Sequence, residues 1–245
     1  MKTSLDCIPC LVRQALDAAR MASPDPREQE RVVREMLGWA SNMNFELPPP
    51  HFAQRLHRRV RELSGSADPY QEAKLRLNRM AMEMAPRLRA VVRSSEDPLA
   101  VAVQLAIAGN VIDLGAMGSV SASDVRQAVD QAMASSLHGD LERFRKAAAE
   151  ARHILYLADN AGEIVFDRLL VEALSPERVT LAVRGAPVLN DATEADARAA
   201  GIHTICRVIS NGSDAPGTLL DDCSDAFRRT FARTDLILAK GQGNY

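Results

Sequence analysis

Residues 153–170 read HILYLADNAGEIVFDRLL. The stretch opens as an apolar run from His153 to Ala158, short and flanked by polar sequence, as a buried parallel strand requires. It breaks at Asp159-Asn160-Ala161-Gly162-Glu163 and resumes with helical spacing at Ile164, Phe166, Leu169 and Leu170. The order is strand, acidic turn, helix. In an open α/β sheet, ligands bind beyond the carboxyl ends of the strands, where a carboxylate, an amide and a glycine can hold a hard cation or admit a ligand close to the backbone. A helix cap would use the same residue types, so the reading depends on whether later segments repeat the pattern.

They do. Short β-rich runs at 153–158, 178–183, 202–209 and 235–239 alternate with helical segments at 162–174, 193–200 and 217–232. This is the βαβ alternation of a parallel, Rossmann-like sheet, and right-handed crossovers place all the strand carboxyl ends on one edge. The first strand runs into Asp159–Glu163. After the second come Arg184-Gly185-Ala186-Pro187 and then Asn190-Asp191-Ala192-Thr193; after the third, Ser210-Asn211-Gly212-Ser213-Asp214; after the fourth, Lys240-Gly241-Gln242-Gly243-Asn244. Polar loops are common, but four in succession on one edge make a candidate site.

Upstream the grammar is helical. Apolar stripes follow Cys7-Ile8-Pro9-Cys10, Asp25-Pro26, Pro48-Pro49-Pro50, Asp68-Pro69 and Asp97-Pro98, and Asp-Pro is a helix-start signal. Asp68 is expected as N-cap with Gln71 in the capping box, and Pro86 is expected to kink or end its helix. Further helices fit 123–135 and 140–151. The segment LAVAVQLAIAGNVIDLG, residues 99–115, is apolar almost all round, so Gly109, Asn110 and Asp113 stand out as polar staples or pocket residues. The expected organisation is a helical bundle over 1–150 joined to an α/β domain over 151–245.

With 245 residues, 47% hydrophobic and 25% charged, the chain can bury a large core. A net charge of −2 gives no nucleic-acid footprint, and the run Arg55–Arg61 reads as a solvated helix face. No stretch is long and apolar enough to cross a membrane. Asp6 and Arg13 interrupt any signal-peptide core. Four cysteines in so long a chain are no disulfide framework, which makes the cytoplasm the expected compartment. The CxxC pair is half a zinc site without its other half; half-buried thiols at a helix start are the expectation. Nothing in the sequence specifies an oligomeric state.

The chemistry of the edge is consistent. Asp159, Asn160 and Asp191 offer oxygen ligands without His or Cys, suited to Mg²⁺ or Mn²⁺ rather than zinc. Gly212-Ser213 and Gly217-Thr218 are expected to present backbone N–H groups to an anion, and Lys240 can add a point charge. A metal, an anion nest and a lysine together handle phosphate.

The opening MKTSLDCIPCLVRQAL, the helix AIAGNVIDLG, and the turns LADNAGE, RGAPVLNDAT, SNGSDAPGT and AKGQGNY together resemble the metal-dependent damage-control phosphatases, first grouped as domain of unknown function eighty-nine. The resemblance covers the whole chain, and the CxxC is similar to the prokaryotic branch. It implies a helical bundle on a Rossmann-like domain, and hydrolysis of small, often damaged, sugar phosphates or other phosphometabolites with Mn²⁺, Mg²⁺, Co²⁺ or Ni²⁺. By motif match it makes Asp159, Asn160 and Asp191 the metal ligands. Lys240 becomes a phosphate contact, and Asn110 and Asp113 pocket residues. Glu163, Arg184, Ser210, Asn211 and Gly212 complete the candidate phosphate-binding set. Family members continue beyond the fourth strand's loop, so the α/β domain is expected to be C-terminally incomplete. Two other classes stand beside a phosphatase: a carboxyl methyltransferase using S-adenosylmethionine, against which the lack of a glycine-rich first turn counts, and a non-catalytic metal- or phosphate-binding module.

Overall fold

The computed structural model describes residues 2–110, 122–135 and 137–244. Asp113 lies outside the described residues. Among the described residues seven helices come first: α1 Cys7–Ala22, α2 Pro26–Ala40, α3 Pro49–Ser64, α4 Gln71–Ser94, α5 Pro98–Ala108, α6 Ala122–Ala134 and α7 Leu141–Glu150. Then β1 Ile154–Leu157, α8 Glu163–Ala173, β2 Val179–Val183, α9 Glu194–Ala199, β3 Arg207–Ser210, α10 Asp225–Arg233 and β4 Leu236–Ala239 alternate. The sheet is parallel throughout, in the order β3-β2-β1-β4. A mixed α/β fold with a parallel sheet is therefore what the periodicity implied. Among the described residues no helix is long and apolar enough to cross a membrane.

Strand β1 explains why its sequence is apolar without alternation. Ile154 and Tyr156 enter the main core, while Leu155 and Leu157 enter a smaller one with Ala182, Cys223 and Phe227 on the opposite face. Both faces are covered, so both sets of side chains must be apolar. The main core does not stop where the element types change near residue 150. Leu77, Ala81, Leu88, Leu105 and Val125 from α4–α6 pack with Ile164, Phe166 and Leu169 of α8. Helices α1–α3 keep a separate core around Leu11, Ala15, Met36, Leu56 and Val60.

Several local expectations are corrected. Helix α4 runs through Pro86 to Ser94; Leu88 and Val92 beyond the proline are buried in the main core, and that burial holds the helix together past the missing N–H. Its first residue is Gln71, and Asp68 instead accepts a hydrogen bond from the N–H of Tyr70 at 3.1 Å. Residues 202–204 form a 3₁₀ turn before the short β3. Helix α10 begins only at Asp225, capped by Ser224, whose Oγ accepts from Phe227 N. By contrast Asp25 and Asp97 cap α2 and α5 as their Asp-Pro pairs require.

The basic run on α3 is only partly a solvated face: Arg55 and Arg58 are exposed, Arg59 and Arg61 half-buried, and all four have partners. Arg59 pairs with Glu35 at 2.7 Å, and Arg55 stacks 4.3 Å from the Trp39 ring centroid. Arg58 and Arg61 both bind Asp214, and Arg61 Nη1 also donates to Pro187 O at 2.7 Å. Helix α3 thereby docks onto two of the loops that leave the sheet edge.

Candidate active site at the carboxyl edge of the sheet

The four turns beyond the strands lock to one another. The first and second are joined by Ala161 N donating to Asn190 O (2.8 Å), Ala192 N donating to Asp159 O (2.7 Å) and an antiparallel bridge between Asn160 and Asp191. The second and third meet where Gly185 N donates to Ser213 O (2.7 Å) and to Asn211 Oδ1 (3.0 Å). A Cβ on Gly185 would sit 2.5 Å from the Gly212 backbone, so only glycine permits that approach. The third and fourth meet at Thr218 N, which donates to Gly243 O (3.1 Å). The ring closes through Asn244, whose Nδ2 donates to Ala158 O (3.1 Å) and whose Oδ1 accepts from Arg184 Nη1 (2.8 Å).

This interlocking brings together Asp159, Asn160 and Asp191. The buried Arg184 guanidinium lies between the two carboxylates, with Nε 2.6 Å from Asp191 Oδ2 and Nη2 3.6 Å from Asp159 Oδ1. The Nη2 atom makes no hydrogen bond. Asp159 rests against the fourth turn: Gly241 has φ +70°, and a Cβ there would stand 2.0 Å from Asp159 Oδ2. The Asn160 amide donates to Asp159 Oδ2 (3.0 Å) and Glu163 Oε2 (3.1 Å). Both of its N–H groups are therefore engaged, and its carbonyl oxygen is the atom left to serve as a ligand.

No group of three His, Cys, Asp or Glu side chains is placed to share a metal among the described residues. The set here is two carboxylates and an amide oxygen. The carboxylates of Asp159 and Asp191 reach one cation, the guanidinium, so their charges converge on common ground. Such an all-oxygen set fits a hard divalent ion that keeps its other positions for water and substrate oxygens.

Lys240 follows β4 and reaches α8. Its Nζ donates to Glu163 Oε1 (2.5 Å), to Asp167 Oδ1 (2.7 Å) and to Ala106 O near the end of α5 (2.7 Å). All three of its N–H groups are engaged, so a direct hydrogen bond to phosphate gives way here to an internal ion pair. Burial opposes the Lys240 charge, but Asp167 and Glu163 outweigh it and raise its pKa. Burial lifts the Asp167 carboxyl to about 6 against the pull of Lys240. Glu163 is fully buried with both oxygens engaged, which sets it behind the Asn160 side chain instead of against a substrate.

The expected anion nest in the third turn does not form. Gly212 N donates to Ser210 Oγ (3.0 Å), Ser213 N to Asn211 Oδ1 (2.9 Å) and Gly217 N to Ala215 O (2.9 Å). With no helix starting there, these N–H groups turn inward to hold the loop. Ser210, Asn211 and Gly212 thus shape the third turn, though the buried Asn211 Nδ2 has no hydrogen-bond partner. Asn110 is exposed just beyond α5, next to Gly109, whose Cβ position lies 3.0 Å from Phe166 Cβ and 3.3 Å from Glu163 Cγ.

Sequence reasoning missed Asn78 and Asp167. Buried Asn78 of α4 accepts from Gly162 N (2.7 Å) and donates to Asp196 Oδ1 (2.8 Å), fixing the start of α8 from the helical half. Asp167 accepts from Tyr156 OH (2.7 Å) as well as from Lys240. A signal for Asp167 was present, because it follows the apolar run Ile164-Val165-Phe166 in α8.

A family model described as the damage-control phosphatase ARMT1-like domain matches residues 3–245. A damage-control phosphatase of Archaeoglobus fulgidus is 36% identical over 251 residues, an alignment covering 100% of this chain and 86% of that protein. An uncharacterized protein of Methanocaldococcus jannaschii is 34% identical over 257 residues, covering 100% and 83%. The crystal structure of a Pyrococcus horikoshii protein described as DUF89 family matches with a TM-score of 0.89 at 30% identity, covering 100% of this chain and 86% of that one.

Proposed function

The chain belongs to the damage-control phosphatase family with the ARMT1-like domain, and from that premise we propose that it is a divalent-metal-dependent phosphatase acting on a small phosphorylated metabolite. The relatives' names support phosphatase chemistry. The observation that carries the metal-dependent reading is the convergence of Asp159, Asn160 and Asp191 at the carboxyl edge of a parallel sheet. These three residues would hold Mn²⁺, Mg²⁺, Co²⁺ or Ni²⁺. A divalent ion bound there would neutralise phosphate charge and polarise the P–O bond.

The chain's own residues divide the remaining work. Arg184, locked by Asp191 and Asn244, keeps Nη2 without a hydrogen bond and can offer it to a phosphate oxygen. Lys240 ties the fourth turn to α8 through its buried ammonium, paired with Glu163 and Asp167. Fixed charges in a buried setting act on developing phosphate charge without reorganising. Asn110, exposed beyond α5, would border the substrate in this reading.

Release of inorganic phosphate from a panel of phosphometabolites, measured with EDTA and after adding back each cation, tests this reading. Metal-restored turnover is expected. Hydrolysis indifferent to EDTA would remove the metal, and binding of phosphate without turnover would leave a non-catalytic module.

A further inference from the structure

We propose that Glu163 is a positioning residue that sets the orientation of the Asn160 amide and couples it to Lys240, a role that rests on Asn160 being a metal ligand. The expectation from sequence was contact with phosphate. Burial excludes this: Glu163 is 0% exposed and opens α8 beneath the turn.

Its two oxygens face in two directions. Oε2 accepts from the Asn160 side chain at 3.1 Å and lies 3.4 Å from the Asn160 backbone N. Oε1 accepts from Lys240 Nζ at 2.5 Å. A carboxylate only accepts hydrogen bonds. It therefore forces the amide to turn its NH₂ inward and its carbonyl oxygen away. Asp159 Oδ2, at 3.0 Å from the same NH₂, selects the same orientation. An asparagine with its oxygen directed outward is a cation ligand; one flipped over would point two donors at the ion. Glu163 also gives Asn160 a negatively charged partner, which raises the electron density available at the ligating oxygen, as carboxylates behind metal ligands do.

The coupling to Lys240 gives this arrangement a second consequence. Glutamine at position 163 has one acceptor and one donor group. Turned one way it would present N–H groups to Asn160, and turned the other way it would present them to the Lys240 ammonium. Neither orientation satisfies both neighbours. Asp167 provides the necessary comparison. It binds the same ammonium at 2.7 Å and is also fully buried, but its hydrogen bonds go to Lys240 and Tyr156, with none to Asn160.

The test measures Mn²⁺ binding by calorimetry on the metal-stripped full chain, with circular dichroism to confirm the fold. Glu163→Gln is expected to weaken Mn²⁺ affinity ten- to a hundredfold, roughly the range for residues that orient a ligand. Asp167→Asn removes the same charge and is expected to stay within about threefold of wild type, since it does not touch the amide. Equal losses in the two variants would make the effect one of charge alone and overturn the proposal. So would unchanged affinity in Glu163→Gln. Should Glu163→Gln fail to fold, Glu163→Asp keeps the charge but shortens the reach, and the same loss is expected. A readout independent of metal is the side-chain NH₂ of Asn160 in ¹⁵N-correlated spectra of the metal-free protein. Glu163→Gln should shift these signals and speed their exchange, and signals identical to wild type would refute the role. If wild type itself binds no Mn²⁺, the metal-dependent function fails, while the NMR arm still decides whether Glu163 orients Asn160.

Discussion

Arg61 Nη2 lies 2.5 Å from Asp214 Oδ2, joining the last turn of α3 to the third sheet-edge loop across 153 residues of sequence. The same guanidinium donates to Pro187 O in the second loop. One side chain of the helical half therefore holds two of the four loops that build the site. Asp214 is under strong cationic influence: burial pushes its carboxyl up, but Arg58, Gln54 and Arg61 outweigh burial and hold it below the usual carboxylate range.

Replacing Arg61 by leucine removes both contacts while Arg58 still neutralises Asp214. The expected loss is about 1.5–3 kcal/mol, the scale of hydrogen bonds to a charged group. Measuring Arg61→Leu, Asp214→Asn and the double variant by urea denaturation gives the coupling between them. Strict additivity would mean that the pair contributes no interaction of its own.

Arg184 invites a comparison of stability with and without metal. It neutralises Asp191 and faces Asp159 in a buried setting, and removing one partner of a buried pair costs roughly 3–5 kcal/mol. Arg184→Met should therefore lower the Tm of the metal-free protein strongly. Because the two carboxylates would then lack their cation, Mn²⁺ should raise the variant's Tm by more than it raises that of wild type. Equal Mn²⁺ shifts would show that the ion and the guanidinium do not share these carboxylates.

How far the sequence carried the interpretation depends on the range of the interactions. Strands β1, β2 and β4 and the convergence of Asp159, Asn160 and Asp191 follow from local pattern plus parallel topology, and both could be read from one dimension. The late start of α10 could not: residues 217–224 carry helix-compatible composition but are committed to the neighbouring loop through Thr218 and Gly217. Lys240 shows the same limit. Its placement at the edge was legible, but its ion pairs with Glu163 and Asp167 depend on where α8 lies relative to β4. Asn78 was hidden for the same reason, since its partners Gly162 and Asp196 are 84 and 118 residues away.

His57 predicts an acid-sensitive fold. It is buried against Tyr70, its Nε2 has no hydrogen-bond partner, and burial followed by the neighbouring Arg61 charge lowers its pKa to about 3. The unfolded chain takes up this proton near pH 6.5. Between those values the unfolded state binds more protons, so stability is complete above about pH 6.5 and declines as pH falls toward 3. The contribution is of order several kcal/mol. His57→Phe should flatten the stability–pH curve between about pH 6 and 4; an unchanged slope would assign the acid sensitivity elsewhere.

Cys7 and Cys10 lie at the start of α1, half-buried and exposed respectively, on the core formed by α1–α3 alone. The double Cys→Ser protein should retain most phosphatase activity and its Mn²⁺ affinity under reducing conditions. A loss matching that of Asp159→Ala would instead place the thiols in the site.

Lys240→Met tests the buried ion cluster through its dependence on pH. In wild type the ammonium opposes the burial that lifts Asp167 to about 6. Without it the Asp167 carboxyl must rise further, because desolvation and the Glu163 charge then act unopposed. A carboxyl whose folded pKa lies above its unfolded value loses stability as pH climbs through that window. At pH 5 Asp167 is largely protonated in both proteins, so the variant's deficit is smallest there and comes from Glu163, which has lost its cation. At pH 8 wild type holds the charged pair while the variant must keep a proton or bury a bare charge. There the deficit should approach about 3–5 kcal/mol. Lys240 itself has a raised pKa, so it stays charged throughout that range and the change with pH comes from Asp167. Chemical denaturation of both proteins at pH 5, 6.5 and 8 measures the widening gap, and a deficit independent of pH would show that Lys240 does not neutralise Asp167. In the kinetic arm, with metal saturating, loss of the ammonium that holds Glu163 behind Asn160 should lower kcat/KM by about ten- to a hundredfold, the range for residues that orient a ligand from behind. Wild-type kcat/KM in a folded Lys240→Met protein would remove the fourth turn from the catalytic site.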